Sequence, residues 1–213
     1  MAVAVVAEQN LLERLRRGDE EAFEQVVDLY GPGLRRLARA YVPESVADEV
    51  VQDTWLGFLQ SLDRFEGRSS LKTWIYRILI NTAKKRRARE GRSVPFSSLG
   101  AETDAAQSLV EPDRFLPPDH PRWPGHWSAP PDSWRNIPES TLLSKEVLDV
   151  IEMALAGLPP AQRQALILRD IEGLRGEEVR NLLGVTGTNQ RVLLHRARSA
   201  VRRALETYFE DER

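Results

Sequence analysis

Apolar residues recur at helical spacing on both sides of a proline-rich stretch. Over residues 44–62, Val51, Trp55, Phe58 and Leu62 follow one another at intervals of four, three and four positions. This spacing places the four side chains on one face of a helix, where they can pack against a core. The stretch therefore predicts a long amphipathic helix.

The same period predicts the remaining helices. Residues 19–30 begin with an acidic turn, which suits a helix N-terminus. This helix places Ala22, Val26 and Leu29 on one face, with Phe23 and Val27 beside them. The other predicted helices cover 11–18, which stops at Gly18, 69–90, which starts at a serine cap, and 141–156, 160–171, 176–183 and 188–208.

Glycine and proline interrupt this pattern at residues 31–33. The sequence Gly31-Pro32-Gly33 should kink or break the helix before residues 34–42 resume it, since proline lacks the amide hydrogen that a helix uses. No alternating apolar run predicts a strand. The predicted fold class is therefore all-α.

A proline-rich segment divides the chain. Nine of the 13 prolines lie between Pro95 and Pro138, together with Trp123, Trp127 and Trp134. Proline fixes φ and removes donors, so residues 92–139 are predicted to form a stiff, partly extended linker. We expect two small helical domains, at 8–91 and 140–210, joined by this long Pro/Trp-rich linker.

Composition narrows the class of protein. Of the 213 residues, 41% are hydrophobic and 29% are charged, which is typical of a soluble globular protein. The chain has no cysteine, which excludes disulfides and thiolate zinc sites and favours an intracellular location. No apolar stretch approaches 18 residues, so no membrane insertion is expected. The net charge is only −2, yet charges of one sign are grouped into blocks.

Residues 176–198, "GEEVRNLLGVTGTNQRVLLHRAR", have the layout of a helix-turn-helix. Gly184 permits a left-handed turn because it has no Cβ. Val185 is expected to fill the core between the two helices, and Thr186 or Thr188 to cap the second one.

The second helix has an apolar and a cationic face, the arrangement that a recognition helix needs. The apolar face carries Leu193, Ala197, Ala200 and Ala204, and the other carries Arg191, His195, Arg198 and Arg202. A merely solvated helix is the alternative interpretation. The absence of any acidic residue between Glu178 and Glu206 favours DNA binding, since solvated helices usually mix both signs.

A second basic cluster ends the predicted helix 69–90. It consists of Lys84, Lys85, Arg86, Arg87 and Arg89. A solvated last turn is again the alternative, since cations suit the C-terminal end of the helix dipole. Five cations in six positions repel one another, however, which favours binding to a polyanion. The loop 63–70 and the nearby Trp74, Tyr76 and Asn81 are typical of single-stranded DNA binding.

Three long segments together resemble a known family. They are "DEEAFEQVVDLYGPGLRRLARAYV", "ADEVVQDTWLGFLQSLDRFEGRSSLKTWIYRILINTAKKRRARE" and "LPPAQRQALILRDIEGLRGEEVRNLLGVTGTNQRVLLHRAR". In order and spacing they are similar to bacterial RNA polymerase sigma factors of the sigma-70 family, in the two-domain extracytoplasmic-function (ECF) group. The resemblance covers about 19–90 and 141–208.

The resemblance implies a function and three sites. The chain is expected to bind core RNA polymerase, recognise the −35 and −10 promoter elements, melt promoter DNA and direct transcription initiation. The implied polymerase-binding residues are Asp48, Glu49, Gln52, Asp53 and Trp55. The implied −10 residues are Phe65, Glu66, Gly67, Arg68, Ser69 and Ser70 in the loop, and Lys72, Trp74, Asn81, Lys84, Lys85 and Arg87 on the helix. The implied −35 residues are Thr188, Asn189, Gln190, Arg191, His195, Arg196 and Arg198.

The resemblance also implies partners and a location. The expected partners are core RNA polymerase, through the coiled coil of its largest subunit and through its β flap, promoter DNA in duplex and single-stranded form, and an anti-sigma factor. We expect a cytoplasmic protein without cofactor or metal. The recognition helix departs from the Val-Gly-Thr-Val-Lys pattern of many members, because it begins with "GTNQR".

Other classes of protein remain as alternatives. His120 and His126, with Asp119 nearby, could bind a metal, but no third ligand lies at a regular spacing. The sequence also has no glycine-rich phosphate loop, so an enzyme is not expected. A stand-alone helix-turn-helix regulator with an N-terminal sensing domain would need one DNA-reading domain, whereas this sequence predicts two. An adaptor that binds only protein would use the basic helices as interaction surfaces.

Overall fold

A computed structural model describes residues 2–90 and 145–211 of the chain. These residues are helices joined by turns and include no strand, which confirms the all-α prediction. The linker 92–139, with its three tryptophans, and His120 and His126 within it lie outside the described residues.

The helices follow the predicted order. Their bounds are α1 Ala2–Arg16, α2 Glu20–Ala38, α3 Glu44–Ser61, α4 Leu71–Glu90, α5 Lys145–Ala156, α6 Pro160–Leu166, α7 Gly176–Leu183 and α8 Gly187–Asp211. A 3₁₀ turn, Leu62–Arg64, follows α3, and a π-helical turn, Ile167–Ile171, continues α6. The first helix is longer than predicted, since it begins at Ala2 rather than at residue 11.

The chain forms two compact units. The first contains the helices α1 to α4 together with Ile167–Gly187, and the second contains α5, α6 and the chain from Thr188 onward. This grouping assigns the turn after α6 and the whole of α7 to the first unit. The domain bounds 8–91 and 140–210 therefore stay a prediction.

Side-chain caps begin two of the helices in the first unit. Asp19 precedes α2, and its carboxylate accepts hydrogen bonds from Arg14 Nε at 2.7 Å and from the Ala22 amide at 3.1 Å. The bond from Arg14, with that from the amide, lowers the pKa of Asp19. Ser70 precedes α4, and its Oγ accepts from the Thr73 amide at 3.2 Å, as the predicted serine cap requires.

The sequence predicted a kink or a break at residues 31–33, and the break is wrong, because α2 runs through them to Ala38. Pro32 removes one helical donor, but Leu34 and Leu37 beyond it are fully buried, and their packing outweighs the lost bond. Gly33 has a packing role, since a Cβ there would lie 2.1 Å from the hydroxyl oxygen of Tyr76.

The core of the first unit lies between α2, α3 and α4. Its largest fully buried side chains include Phe58 of α3 and Ile75 and Leu79 of α4. Truncating Phe58 to alanine would cost roughly 3–5 kcal/mol. The predicted face of α2 is confirmed for Ala22 and Val26 and is wrong for Leu29, whose side chain is exposed.

The second unit buries Val147 and Leu155 of α5 and Leu193 and Ala197 of α8. The Tyr208 hydroxyl near the end of α8 donates to Glu146 Oε2 of α5 at 3.2 Å. An open groove of about 480 Å³ lies in this unit. It is lined by Val150, Met153, Ala154, Ala200, Arg203, Ala204, Thr207 and Tyr208. Within residues 2–90 and 145–211, no helix has the length and apolar character needed to cross a membrane.

Candidate nucleic-acid interface

The helix α8 presents most of the predicted cationic face to solvent. Arg191, His195 and Arg198 of that face are exposed, as is Arg196, whereas Arg202 is half-buried. Leu193 and Ala197 of the predicted apolar face are buried, so the helix is held in its unit on one side and is accessible on the other. Positions 191, 195 and 198 are spaced by four and three residues and therefore share one face.

The turn before α8 has the predicted glycine geometry. Gly184 has φ 70° and ψ 35°, which is the left-handed region, and its amide donates to Arg180 O at 2.8 Å. The helix begins at Gly187, which places Thr186 rather than Thr188 at the cap position. Val185 is only half-buried, so it fills the core less completely than predicted.

Gln190 differs from its neighbours on α8. Thr188 and Asn189 are exposed, whereas Gln190 is 5% exposed, and its Nε2 makes no hydrogen bond within the described residues. In this conformation a base edge cannot reach the Gln190 amide. Its −35 role stays a prediction that requires the side chain to turn outward.

The loop between α3 and α4 forms a compact exposed turn. Gly67 has φ +71°, and Arg68 Nε donates to Glu66 Oε2 at 2.7 Å across it. Phe65 is buried at 7% exposed, and its ring centroid lies 4.6 Å from that of Trp74. Phe65 therefore supports the loop from below, whereas residues 66–68 are the ones accessible to a nucleotide.

The helix α1 holds both ends of this loop. Arg16 Nη2 donates to the Phe65 carbonyl at 2.8 Å. The carboxylate of Glu8 accepts from the Leu71 amide at the start of α4. Neither contact could be predicted from the sequence pattern, because the contacts join residues 49 and 63 positions apart.

The exposed face of α4 carries Asn81, Lys84 and Lys85, and Arg87 beside them is half-buried. Positions 81, 84 and 85 are three and four residues apart and therefore face the same way. Arg86 points to α3 instead, where its Nη2 donates to Glu49 Oε2 at 2.5 Å.

Three predicted −10 residues are engaged by protein groups. The Lys72 ammonium donates to the main-chain oxygen of Glu172 at 2.5 Å. Trp74 is half-buried, with its ring centroid 5.5 Å from that of Phe58 and next to Phe65. Ser70 caps α4, and its Oγ also lies 2.9 Å from Thr73 Oγ1. These side chains shape the site more than they present themselves to solvent.

The helix α3 exposes the predicted acidic face. Asp48, Glu49, Gln52 and Asp53 are exposed, and Arg35 Nε donates to Asp48 Oδ1 at 2.9 Å. Trp55 is half-buried, and its ring packs edge-to-face on Phe23 and Phe58 with centroids 5.9 Å away.

Two leucines on α3 were not predicted as part of this face. Leu56 is 56% exposed, and Leu59 one turn further along is exposed as well. Large apolar side chains with a polar rim are typical of protein-binding surfaces. The sequence could have indicated their exposure, because both leucines lie outside the apolar stripe formed by residues 51, 55, 58 and 62.

Two compact helical units and two exposed cationic helices define a DNA-binding protein. Residues 26–93 match the family described as Sigma-70 region 2, and residues 148–201 match Sigma-70, region 4. The chain is 30% identical over 196 residues to the ECF RNA polymerase sigma-E factor of Escherichia coli strain K12, covering 92% of this chain and 93% of that protein. It is 32% identical over 207 residues to the RNA polymerase sigma-H factor of Pseudomonas aeruginosa, covering 96% of each.

Among solved structures, the chain resembles the sigma factor RpoE in complex with the anti-sigma factor NepR from Bartonella quintana. The likeness has a TM-score of 0.55 and 26% sequence identity, and it covers 86% of this chain and 96% of that one. The chain therefore belongs to the ECF group of sigma-70 family RNA polymerase sigma factors. As a sigma factor it acts in promoter recognition and transcription initiation and is not an enzyme.

Proposed function

We propose that this sigma factor binds core RNA polymerase through α3, reads and opens the −10 element with the 65–70 loop and α4, and reads the −35 element with α8. The observation that carries this proposal is the presence of two separate exposed cationic helices in one chain. A stand-alone regulator needs one DNA-reading helix, and an adaptor that binds only protein needs none.

The polymerase-binding surface consists of the exposed α3 residues Asp48, Glu49, Gln52 and Asp53 with Leu56. Acidic groups steer a basic partner and set the register of docking, and Leu56 supplies apolar area at the centre of the contact. Trp55 supports the surface from beneath, because its ring is held between Phe23 and Phe58.

The −10 site combines the exposed turn 66–68 with Asn81, Lys84 and Lys85 of α4. Cationic side chains follow the phosphates, and Asn81 can form hydrogen bonds to a base edge. Removing a base from the stack costs a few kcal/mol. The packing of Phe65 on Trp74 beneath the loop supports this role, since a preformed receptor loses less conformational entropy on binding.

The −35 site uses Asn189, Arg191, His195 and Arg196 for bases and Arg198 for a phosphate. An arginine can bind guanine O6 and N7 together, whereas an arginine on a phosphate only positions the helix. In this proposal α8 binds promoter DNA as a duplex, and α4 binds it as a single strand.

We infer two further partners, the β flap of the polymerase and an anti-sigma factor. The groove beside Met153 and Tyr208 suits an apolar helix from the β flap of the polymerase. The RpoE relative is described in complex with an anti-sigma factor, and we infer that this chain is also held by one. Because core RNA polymerase acts in the cytoplasm, we infer that this chain is a cytoplasmic protein.

The α3 surface is tested by core-binding measurements with full-length variants. Asp53→Lys and Leu56→Ala should each weaken binding to purified core polymerase by about tenfold or more, which is the effect of losing ~1.4 kcal/mol at a contact. Glu24→Lys, an equal charge change at an exposed position of α2, is the matched control and should bind as the wild type does. Equal affinities for all four proteins would exclude α3 as the docking surface.

A further inference from the structure

The carboxylate of Glu172 is enclosed by side chains of α2 and α4. Its side chain is 9% exposed. Arg36 Nη1 donates to Oε1 at 3.0 Å, and the Tyr76 hydroxyl donates to Oε2 at 2.5 Å. Lys72 Nζ lies 3.2 Å from Oε2 and also donates to the main-chain oxygen of the same residue. Every one of these contacts lies within the first unit.

The floor of this enclosure is a glycine. A Cβ at Gly33 would lie 2.1 Å from the Tyr76 hydroxyl oxygen and 2.7 Å from each carboxylate oxygen of Glu172. Any larger residue would therefore displace the carboxylate or the hydroxyl. The missing side chain at Gly33 thus leaves the space that the Glu172 carboxylate and the Tyr76 hydroxyl occupy.

The chemistry of the recess favours an anion. Arg36 and Lys72 supply two positive charges, and Tyr76 supplies a neutral hydroxyl donor at the buried end. Burial, together with the nearby carboxylate of Glu172, raises the pKa of Tyr76, so the hydroxyl remains a donor at neutral pH. A carboxylate this enclosed would be costly without partners, and here both of its oxygens are paired.

A second carboxylate holds the same segment to α4. Thr73 Oγ1 donates to Glu178 Oε1 at 2.8 Å. Glu178 Oε2 also accepts from the Arg175 amide at 2.8 Å, which caps α7. Burial alone would raise the pKa of Glu178, but the hydrogen bonds from Arg175 and Thr73 outweigh it and lower the pKa. The segment 172–178 thus contacts α4 at three positions, 72, 73 and 76.

We propose that Gly33, Arg36, Lys72 and Tyr76 form a carboxylate-binding pocket that Glu172 fills in the free protein, and that this contact withholds Lys72 from promoter DNA. The proposal rests on the proposed −10 function of α4. An ammonium that donates to the Glu172 main-chain oxygen and faces its carboxylate cannot reach a phosphate at the same time. Release of Glu172 would therefore be a step in forming the DNA-binding surface of α4.

Amine labelling of the full-length free protein tests the pocket directly. The rate of acetylation of Lys72 is measured by mass spectrometry at limiting reagent. Glu172→Gln removes the charge and keeps the shape, and Tyr76→Phe removes only the hydroxyl. We expect about a tenfold faster reaction at Lys72 in Glu172→Gln, the population shift that ~1.4 kcal/mol produces. A smaller rise is expected in Tyr76→Phe.

The matched control is Glu177→Gln, which makes the same change at an exposed glutamate five positions away. It should leave the Lys72 rate at the wild-type value. Lys84 and Lys85 serve as internal references, and circular dichroism confirms that each variant retains its helices. An unchanged Lys72 rate in both Glu172→Gln and Tyr76→Phe would overturn the inference.

A second measurement separates the pocket from the DNA role of Lys72. Binding of the free chain to single-stranded promoter oligonucleotides should tighten severalfold in Glu172→Gln and not in Glu177→Gln. If Lys72→Ala weakens binding but Glu172→Gln does not strengthen it, the withholding of Lys72 is wrong. If Lys72→Ala has no effect, the −10 assignment of Lys72 is wrong, and the labelling result alone decides whether the pocket exists.

Discussion

Gly33→Ala provides the sharpest test of packing in the first unit. In an ordinary helix interior this change stabilises by about 1 kcal/mol. Here the new Cβ would lie 2.1 Å from the buried Tyr76 hydroxyl and 2.7 Å from the Glu172 carboxylate. Overpacking costs about 1–3 kcal/mol. Displacing a hydrogen bond to a charged group costs about 1.5–3 kcal/mol more. We expect a net destabilisation of ~2 kcal/mol once the gain in helix propensity is subtracted.

A double-mutant cycle with Tyr76→Phe isolates the cause. Phenylalanine removes the oxygen at 2.1 Å but leaves the Glu172 carboxylate oxygens at 2.7 Å, so Gly33→Ala should cost less in that background than in the wild type. The assay is thermal unfolding followed by circular dichroism on all four proteins. The predicted coupling energy is ~1–2 kcal/mol, against the ~0.5 kcal/mol or less expected of independent sites. If Gly33→Ala costs the same in both backgrounds, the Tyr76 hydroxyl does not occupy the space above Gly33.

Three further outcomes follow from the structure. Asp19→Ala should lower the unfolding temperature. Folding lowers the pKa of Asp19, so its carboxylate stabilises the folded state at pH values above its unfolded pKa. This stabilisation is lost as the pH falls through the folded pKa. The acid limb of a stability-versus-pH curve should therefore be flatter for Asp19→Ala than for the wild type. Arg198→Ala should reduce the slope of log affinity against log salt concentration for −35 duplex binding by about 0.9. Arg191→Ala should weaken binding to the preferred sequence by about 1–3 kcal/mol and relax the sequence selectivity. Anisotropy titrations measure both effects. Asn81→Ala and Lys84→Ala should slow strand opening more than closed-complex binding, and pre-melted templates should restore their rates; equal defects on both templates would contradict this assignment.

The helices themselves were predictable because their determinants are local. The 51–55–58–62 stripe of α3, the Ser70 cap of α4 and the turn at Gly184 all depend on residues within a few positions of one another. The helix break predicted at Pro32 was wrong because the burial of Leu34 and Leu37 outweighs the local preference of proline against a helix interior. Leu29 was misplaced because position alone does not show how far burial extends along a helix face: Ala22 and Val26 of that face are fully buried, whereas Leu29 is 66% exposed.

The candidate site was only partly predictable for the same physical reason. Exposed cations such as Arg191 and Lys84 could be identified from spacing and charge. The contacts that support the site join distant positions, as Arg16 does with Phe65 and Glu172 with Tyr76. Pairings over 49 and 96 positions leave no periodic signal in one sequence. For this reason the sequence did not show that Phe65, which was expected to bind DNA, lies buried beneath the loop.

Transcription with purified core polymerase shows whether the chain initiates at promoters through the three proposed sites. Core enzyme, the full-length chain and a library of double-stranded genomic fragments are combined, and the initiated transcripts are sequenced. We expect transcripts that share upstream elements at −35 and −10, whose yield falls with Leu56→Ala, Asn81→Ala and Arg191→Ala and is unchanged with Glu24→Lys. If the wild-type chain neither binds core enzyme nor initiates on any fragment, the proposed function is wrong.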